Sequence, residues 1–469
     1  MSDSNISKLL SFEQLEVGLA GSLVTPSDAE WDTARAAWNL TADQRPVAVV
    51  FAANAADISA VLRFASAANL RVTAQSTGHL ATALGDLDDT ILIRTTRMDS
   101  IVLDEIAQVV RVGAGATWGP VSAVLAPAGL VALAGSSHDV GVVGYTLGGG
   151  YSWLSRSRGL ASSSVTAVEL VLANGEFVRA TTIEHADLFW AVRGGGGNFG
   201  IVTAIEFRVF LLPNVYAGML LFPVERAREV LSEYAEWTEH LDDHTTTCVR
   251  ILRFPPLPEL PDFIRGQSFV GIDGAIDATD ATAQALLAPL RAMNPAIDTF
   301  TRVPASSLAE VHMDPAFPVP AIGDGIAVTK LDSDVIDALL GSAAGDPASP
   351  LLIVDIRHLG GALGRPDPAG GAIDHFSGNF LVYAAGMVPF AEAAPVVAAA
   401  VDSVRQALLP WESAQTYSNF REAEAAPERM WDAATLTRLR AIKVTRDLGN
   451  TIRAAHSLGT APVRSAAMR

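Results

Sequence analysis

Residues 135–150 read Gly135-Ser136-Ser137-His138-Asp139-Val140-Gly141-Val142-Val143-Gly144-Tyr145-Thr146-Leu147-Gly148-Gly149-Gly150. Its glycines disfavour both helix and strand, so the stretch predicts a loop held close to a ligand or to other backbone. The amides of the last three glycines are suited to cradle a pyrophosphate. A nucleotide P-loop is excluded because the sequence lacks Gly-Lys-Ser/Thr, and the glycines at 113, 115 and 119 miss dinucleotide-site spacing.

Two further segments carry the same kind of signal on either side of this stretch. Upstream, Gln75-Ser76-Thr77-Gly78-His79 follows a strand-like run, and its glycine predicts a turn with backbone amides free to face an anion. Downstream, residues 187–203 contain four consecutive glycines, Gly194 to Gly197, before a β-branched strand. Such a run predicts close packing of backbone against backbone or ligand.

In this order and spacing, the three segments resemble berberine-bridge-enzyme-like FAD-linked oxidases of the vanillyl-alcohol-oxidase superfamily. Ala48–Pro213 resembles their PCMH-type FAD-binding domain, and Tyr417-Ser418-Asn419-Phe420 with residues 439–443 and 447–452 resembles their closing segments. The resemblance implies FAD as the cofactor, bound covalently by an 8α-histidyl bond through His79. Ser137 stands where many members have a cysteine that forms a second bond to the flavin.

The resemblance also implies which residues contact FAD. The residues expected to bind the cofactor are His79, Gln75, Ser76, Thr77, Gly78, Gly135, Ser136, Ser137, Val140, Gly141, Gly144, Tyr145, Gly148, Gly149, Gly200, Val202, Asn419 and Asn450. Three positions depart from the usual pattern: Gln75 replaces an arginine, Tyr145 replaces a histidine, and Phe420 replaces the last tyrosine of Tyr-x-Asn-Tyr. Phe420 cannot exchange a proton, so that catalytic role must lie elsewhere or be unnecessary.

Candidate catalytic residues come from the middle of the chain and from the closing segment. Asp355 and Arg357 alternate along a predicted strand and so share a face, with Asp355 as the first candidate base and Arg357 as its partner. The alternative for this pair is a solvated ion pair at a sheet edge. Tyr383 and Tyr417 are the other catalytic candidates. His312 is expected at the surface and Cys248 in an apolar interior, and no Cys/His spacing predicts a metal site.

The alternation of elements predicts an α+β protein. We expect a two-subdomain FAD-binding domain over residues 1–212 and an antiparallel-sheet substrate domain with helices on one face over 213–404. Residues 405–469 are expected to complete the FAD-binding domain. A helix is predicted at Val224–Leu241, and a hairpin turn at Asn174-Gly175.

The composition restricts the partners and the compartment. The 469 residues carry a formal net charge of −18, which disfavours nucleic acid and anionic lipid as partners. A single cysteine, the absence of a signal-like start in Met1–Leu10 and the absence of a long apolar run favour a cytoplasmic protein without a membrane span. Either a monomer or a homodimer is compatible with the sequence.

The expected activity is that of an oxidase. Hydride from an alcohol, sugar, amine or polyketide-like intermediate of bacterial secondary metabolism would pass to FAD, and O2 would reoxidise it to give H2O2. The small residue Gly135 resembles the family's oxygen-permissive arrangement. Three alternatives stay open: a flavin-dependent oxygenase, a dehydrogenase with another electron acceptor, and an inactive flavin carrier.

Overall fold

The structure is a computed structural model that describes residues 11–258, 262–315 and 317–459. Met1–Leu10, for which no signal-like start is expected, lies outside these ranges, as do the last ten residues of the 405–469 stretch. The α-helices are Phe12–Val17, Trp31–Arg35, Ala55–Ala68, Trp118–Leu125, Val142–Leu147, Ser155–Arg158, Ala161–Ser164, Ala186–Val192, Ala227–Thr238, Asp280–Ala292, Ser333–Leu340, Ala394–Leu408 and Ala433–Arg446. Within the described ranges, no helix is both long and apolar enough to cross a bilayer.

A small, mostly parallel sheet begins the fold. In spatial order its strands are Ser22–Val24, Ala48–Phe51, Thr90–Arg94 and Arg71–Gln75. Helix Ala55–Ala68 covers it, beginning where the Asn54 side chain accepts two backbone N–H groups and burying one apolar stripe. Near the other chain end, Ile452 pairs with Val72, so the closing segment joins this sheet. The loop Gln75–His79 leaves the carboxyl end of the last strand.

A five-stranded antiparallel sheet follows. In spatial order its strands are Ile101–Asp104, Val109–Gly113, Ile201–Arg208, Val165–Val171 and Phe177–Ala180. The predicted hairpin is confirmed: strands 165–171 and 177–180 pair antiparallel, and Gly175 takes φ 79° in the turn between them. Leu130–Val131 and Phe210–Leu211 form a short separate ladder.

The large sheet, which we define by its eight antiparallel strands between residues 214 and 387, makes up the middle of the chain. Along its main path the strands run Ile297–Asp298, Asn214–Pro223, Ser268–Ile276, Thr245–Arg253, Leu351–His358, Phe380–Met387 and Ala321–Val328, with Thr301–Pro304 also paired to Asn214–Pro223. Four helices (Ala227–Thr238, Asp280–Ala292, Ser333–Leu340 and Ala394–Leu408) pack on one face. The first is shorter than the predicted Val224–Leu241, because residues 224–226 form a 3-10 turn. The expected α+β class, with an antiparallel sheet covered by helices on one face, is confirmed.

The opposite face of the large sheet is polar, and we call it the polar face. It is defined by Cys248, Arg250, Asp273, Asp355, Arg357 and Tyr383, which alternate with residues of the apolar core. The strand register aligns Tyr383 with Asp355 and Asp355 with Arg250. The solvated-edge alternative for Asp355 and Arg357 is wrong, because their strand is internal and they are 1% and 9% exposed. Buried charges cost free energy, so this face is a candidate functional surface.

Candidate active site

The His79 imidazole is held by three different contacts. Its Nδ1 lies 2.8 Å from Thr77 Oγ1, and its Nε2 lies 3.7 Å from Asp139 Oδ1. The indole of Trp38 stacks on the imidazole at 4.0 Å between centroids and 17° between planes. These contacts restrict the rotation of the ring, as required of a side chain that forms one defined bond to a ligand.

Asp139 connects His79 to Ser137 and is itself strongly hydrogen-bonded. Ser137 Oγ donates to Asp139 Oδ1 at 2.8 Å, and Trp38 Nε1 donates to Asp139 Oδ2. Burial acts to raise the pKa of Asp139, but hydrogen bonds from His79, Ser137 and Trp38 outweigh it and lower the pKa below its ordinary value. His79 and the position at which many members of the resembled family have a second flavin-binding cysteine, Ser137, thus share one carboxylate. Sequence reasoning missed Trp38 and Asp139, although Asp139 lies only two residues after Ser137.

The glycine-rich stretch forms the floor of a cradle, which we define as residues 75–79 and 135–150. The loop expected over all of residues 135–150 is wrong in part, because Val142–Leu147 forms a short helix that accommodates Gly144 and ends at Gly148. The two segments touch, because a Cβ on Gly141 would lie 3.2 Å from Ser76 Cβ and 3.8 Å from Thr77 Oγ1. Asn419 Nδ2 donates to the Tyr145 carbonyl at 2.9 Å, and a Cβ on Gly148 would lie 1.8 Å from Asn419 Oδ1. The closing segment therefore packs directly on the cradle and requires a glycine there.

Two features of the cradle fit an elongated polar cofactor. Gln75 is only 6% exposed, yet both polar atoms of its amide lack a hydrogen-bond partner in the described part of the chain. Buried polar groups are rarely left so. A phosphate at the cradle would accept from Gln75 Nε2, and a water would donate to Gln75 Oε1. Gly144 is exposed, and beyond its chain neighbours and its own helix backbone no atom of the described residues lies within 4 Å of the position a Cβ would take. This glycine therefore leaves open space at the surface of the cradle.

Other predicted cofactor residues lie in contact with the cradle or behind it. The Tyr145 ring fills the space next to Gly135, where a Cβ would lie 3.1 Å from Tyr145 Cε2. Ser136 Oγ bonds Asp314 Oδ2 at 3.2 Å, away from His79. Gly200 packs against Leu170, and Val202 is buried in the five-stranded sheet. The room expected next to Gly135 is therefore occupied by an aromatic ring.

The four-glycine segment and the closing segment support the cradle from behind. Gly194 N–H donates to Leu147 O at 2.9 Å, which fixes the end of helix Val142–Leu147. Lys443, almost fully buried, bonds Asn198 O, Ile452 O and Asp447 Oδ2 at 2.6 to 2.9 Å. Asn450 adopts a left-handed backbone conformation with φ 50° in the turn before Ile452.

Asp355 and Arg357 form a buried pair beside the closing segment. Arg357 Nε donates to Asp355 Oδ2 at 2.6 Å, and the guanidinium lies 4.8 Å from the Phe420 ring centroid and 5.3 Å from that of Tyr151. Tyr417 is also buried, and its hydroxyl accepts the Tyr151 N–H at 3.0 Å and Asn419 Nδ2 at 2.9 Å. Burial raises the pKa of Tyr417 to about 12. The predicted residues Asp355, Arg357, Tyr417 and Asn419 are thus brought together.

Tyr383, the fourth catalytic candidate, donates its hydroxyl proton to Glu422 Oε1. Its ring packs on Phe420 with centroids 4.9 Å apart. Burial raises the pKa of Glu422 to about 7, although hydrogen bonds from Tyr383 and the Gly323 N–H oppose this rise. Sequence reasoning missed Glu422. The available signal was its position, two residues after Phe420, which replaces the last tyrosine of the family's Tyr-x-Asn-Tyr pattern.

A second polar group occupies the far end of the polar face. Arg250 pairs with Asp273, and burial raises the pKa of Asp273 to about 7. The expectation that His312 lies at the surface is wrong: it is 3% exposed, stacks on Trp153 at 4.9 Å between centroids, and lies 3.6 Å from Asp273 Oδ2. His312 follows the 3-10 helix Ala305–Glu310 and points into the protein interior.

Cys248 is buried, as expected, and its Sγ lies 3.8 Å from His312 Nε2. With Asp355 these two residues form a group whose potential metal-ligand atoms all lie within 4.8 Å of one another. Burial raises the pKa of the Cys248 thiol well above its ordinary value, and Arg357 already pairs with Asp355. Because metal binding requires deprotonated thiol and free carboxylate, the absence of a metal site stays our prediction.

Comparisons with known proteins agree with this geometry. Residues 46–181 match a family model described as an FAD binding domain, so this part of the chain is an FAD-binding domain. Over 257 residues the chain is 29% identical to (R)-6-hydroxynicotine oxidase of Paenarthrobacter nicotinovorans, covering 55% of this chain and 53% of that oxidase. Over 202 residues it is 32% identical to an FAD-dependent monooxygenase of Penicillium roqueforti, covering 43% of this chain and 40% of that protein. The chain thus spans about half the length of the curated relatives it matches.

The overall fold has a counterpart among solved structures. BBE-like 1 of Physcomitrella patens superposes with a TM-score of 0.83 at 20% identity, covering 96% of this chain and 99% of that one. At this identity the likeness shows a shared fold. The fold expected from the resemblance, an FAD-binding part joined to a sheet domain, is confirmed.

Proposed function

We propose that this chain is an FAD-dependent oxidase of small organic substrates, with the flavin attached covalently through His79. The observation that carries the proposal is the contact between the cradle and the polar face. Asn419 donates to the Tyr145 carbonyl of the cradle, and Tyr417 accepts the N–H of Tyr151, the residue directly after the cradle. The adjacent Phe420 touches Arg357. An FAD in the cradle would thus have titratable side chains next to it.

The roles of the residues follow from this contact. FAD supplies the hydride acceptor when it is bound. His79, fixed by Thr77, Trp38 and Asp139, is the proposed tether, and the backbone of residues 141–149 would hold the cofactor chain. Arg357 and Asp355 are suited to bind and orient a polar substrate, because their charges are paired and largely removed from water.

Substrate class and electron acceptor belong to the same proposal. A relative is named for oxidation of a hydroxynicotine, so alcohols, sugars, amines and phenolic polyketides are all suitable test substrates. We propose O2 as the electron acceptor, a cytoplasmic location, and either a monomer or a homodimer. The net charge of −18 supports small molecules rather than nucleic acid as partners.

Acid precipitation of the purified holoenzyme tests the attachment. We expect the yellow flavin to remain in the wild-type pellet and to move to the supernatant in His79→Ala. His138→Ala is the matched control, because His138 lies on the same loop and packs against Gly119 instead of the His79 cluster. A colourless wild-type pellet would refute the covalent bond while leaving FAD binding intact. Anaerobic bleaching by any substrate of the four classes tests the redox activity.

A second candidate is an oxygenase that transfers one atom of O2 to its substrate. It is favoured by the 32% identity to a protein named as an FAD-dependent monooxygenase. Reaction under 18O2 separates the two functions. An oxidase releases the label as peroxide, whereas an oxygenase incorporates it into the product.

A further inference from the structure

Glu422 is a carboxylate that the fold keeps apart from the cations around it. Its Oε1 accepts the Tyr383 hydroxyl, and its Oε2 lies 3.3 Å from Asn39 Nδ2. The neighbouring Asp324 is instead the partner of the nearby cations, with Arg421 Nη1 at 2.5 Å and Arg405 Nε at 3.7 Å. Glu422 therefore faces Tyr383, Asn39 and the Gly323 N–H, all of them uncharged.

Tyr383 lies beside the Asp355–Arg357 pair and Phe420, so its hydroxyl is near the candidate active site. It is the strand partner of Asp355 and so shares the polar face with the Asp355–Arg357 pair. Its ring packs on Phe420, the residue that replaces a tyrosine. Two glycines leave room for this arrangement: a Cβ on Gly323 would lie 2.1 Å from the Tyr383 hydroxyl, and one on Gly325 would lie 2.9 Å from Phe420 Cβ.

We infer that Tyr383 and Glu422 together form the proton acceptor for substrate oxidation. They would replace the proton-accepting hydroxyl of the family's tyrosine, which Phe420 lacks. The inference rests on the proposed function. Tyr383 accepts the proton from the substrate O–H or N–H as its own hydroxyl proton moves to the Glu422 carboxylate. The carbon–hydrogen bond breaks with its electron pair, which leaves as hydride to the flavin, and the substrate carbon forms a double bond to oxygen or nitrogen.

The chemistry of the pair suits this role. Asp355 is already the counter-ion of Arg357, whereas Glu422 accepts only neutral donors and can take up a proton without breaking an ion pair. Burial raises the pKa of Glu422 to about 7, close to the value at which a general base works best near neutral pH. Asp324 contributes to this rise by charge repulsion, and its arginine partners moderate that contribution.

Four forms of the holoenzyme test the inference: wild type, Glu422→Gln, Tyr383→Phe and Glu412→Gln. Glu412 is the matched control, because it lies in the same segment and pairs with Arg429 at 2.7 Å instead of facing Tyr383. The rate of anaerobic flavin reduction is measured from pH 5 to 9 with a substrate that bleaches the wild type. Equal FAD content and circular dichroism show that each variant folds.

We expect Glu422→Gln and Tyr383→Phe each to lower the reduction rate by at least about 100-fold, and Glu412→Gln to leave it within about twofold. The wild-type rate should rise with pH through an inflection near 7 that is absent from Glu422→Gln. An unchanged rate in either Glu422→Gln or Tyr383→Phe would overturn the pair as proton acceptor. If no substrate bleaches the wild type, the proposed function fails first and the inference with it.

A readout that needs no substrate separates the two failures further. The infrared C=O band of a protonated carboxyl, followed from pH 5 to 9, should lose a component near pH 7 in the wild type that Glu422→Gln lacks. Asp273 titrates in the same range and is present in both proteins, so the difference spectrum isolates Glu422. Absence of that component overturns the inference whatever the activity.

Discussion

The cradle and the polar face are neighbouring surfaces built from different materials. The cradle consists mainly of backbone, with glycines whose missing side chains leave room for a cofactor or for Asn419. The polar face consists of side chains on alternate strand positions, several of them charged and buried. A backbone surface tolerates no extra atoms, whereas a side-chain surface tolerates no missing charge. Substitutions on the two surfaces should therefore fail for opposite reasons.

The largest expected effect is on the polar face. Asp355→Leu leaves Arg357 buried without the carboxylate it now bonds at 2.6 Å, and we expect a loss of about 3–5 kcal/mol in the free energy of unfolding. Adding Arg357→Met should recover most of that loss, because the unpaired charge disappears. Denaturant unfolding of both variants measures the difference.

An exposed ion pair provides the control for this prediction. Arg228 and Asp337 form a pair whose side chains are 60% and 59% exposed, so Asp337→Leu should cost less than about 1 kcal/mol. If Asp355→Leu costs no more than Asp337→Leu, the charges on the polar face are solvated, and the contrast with the cradle is wrong.

The next effect is on the cradle. Gly148→Ala forces a Cβ to within 1.8 Å of Asn419 Oδ1, and we expect a loss of about 1–3 kcal/mol in the free energy of unfolding as Asn419 is displaced from Tyr145 and Tyr417. Gly144→Ala meets nothing within 4 Å and lies in a helix, so it should not destabilise the FAD-free protein.

FAD content should distinguish the two glycine variants a second time, after their stability. Gly144→Ala places a methyl group in the open space where the cofactor is proposed to lie, so its defect should appear as reduced FAD occupancy. A Gly144→Ala protein with full FAD content would mean that the cofactor passes elsewhere.

The same contrast explains which features the sequence revealed. The cradle was predictable because glycines and their spacing are contiguous in the chain, and so were the sheet and hairpin, because alternation and an Asn-Gly turn are local. The contacts of Trp38 with Asp139 and of Tyr383 with Glu422 join residues 101 and 39 positions apart. No local pattern encodes such pairs. His312 was misassigned for the same reason, since only the tertiary fold shows Trp153 stacked on it.

The smallest expected effect compares the pH dependence of Asp139, in the cradle, with that of Glu422, the hydrogen-bond partner of Tyr383 on the polar face. The pKa of Glu422 is raised in the folded protein to about 7, so its contribution to stability is complete below its unfolded value and is lost as pH rises through 7. The pKa of Asp139 is lowered, so its contribution is complete above its unfolded value and is lost only at lower pH. Of these two carboxylates, only Glu422 should change its contribution to stability between pH 5 and 8.

Denaturant unfolding at pH 5 and pH 8 measures this difference. Relative to wild type, Glu422→Gln should be more stable at pH 8 than at pH 5 by about 1–2 kcal/mol. Asp139→Asn should differ from wild type by the same amount at both pH values, because Asp139 stays ionised throughout. Equal offsets for both variants would mean that Glu422 does not titrate between pH 5 and 8.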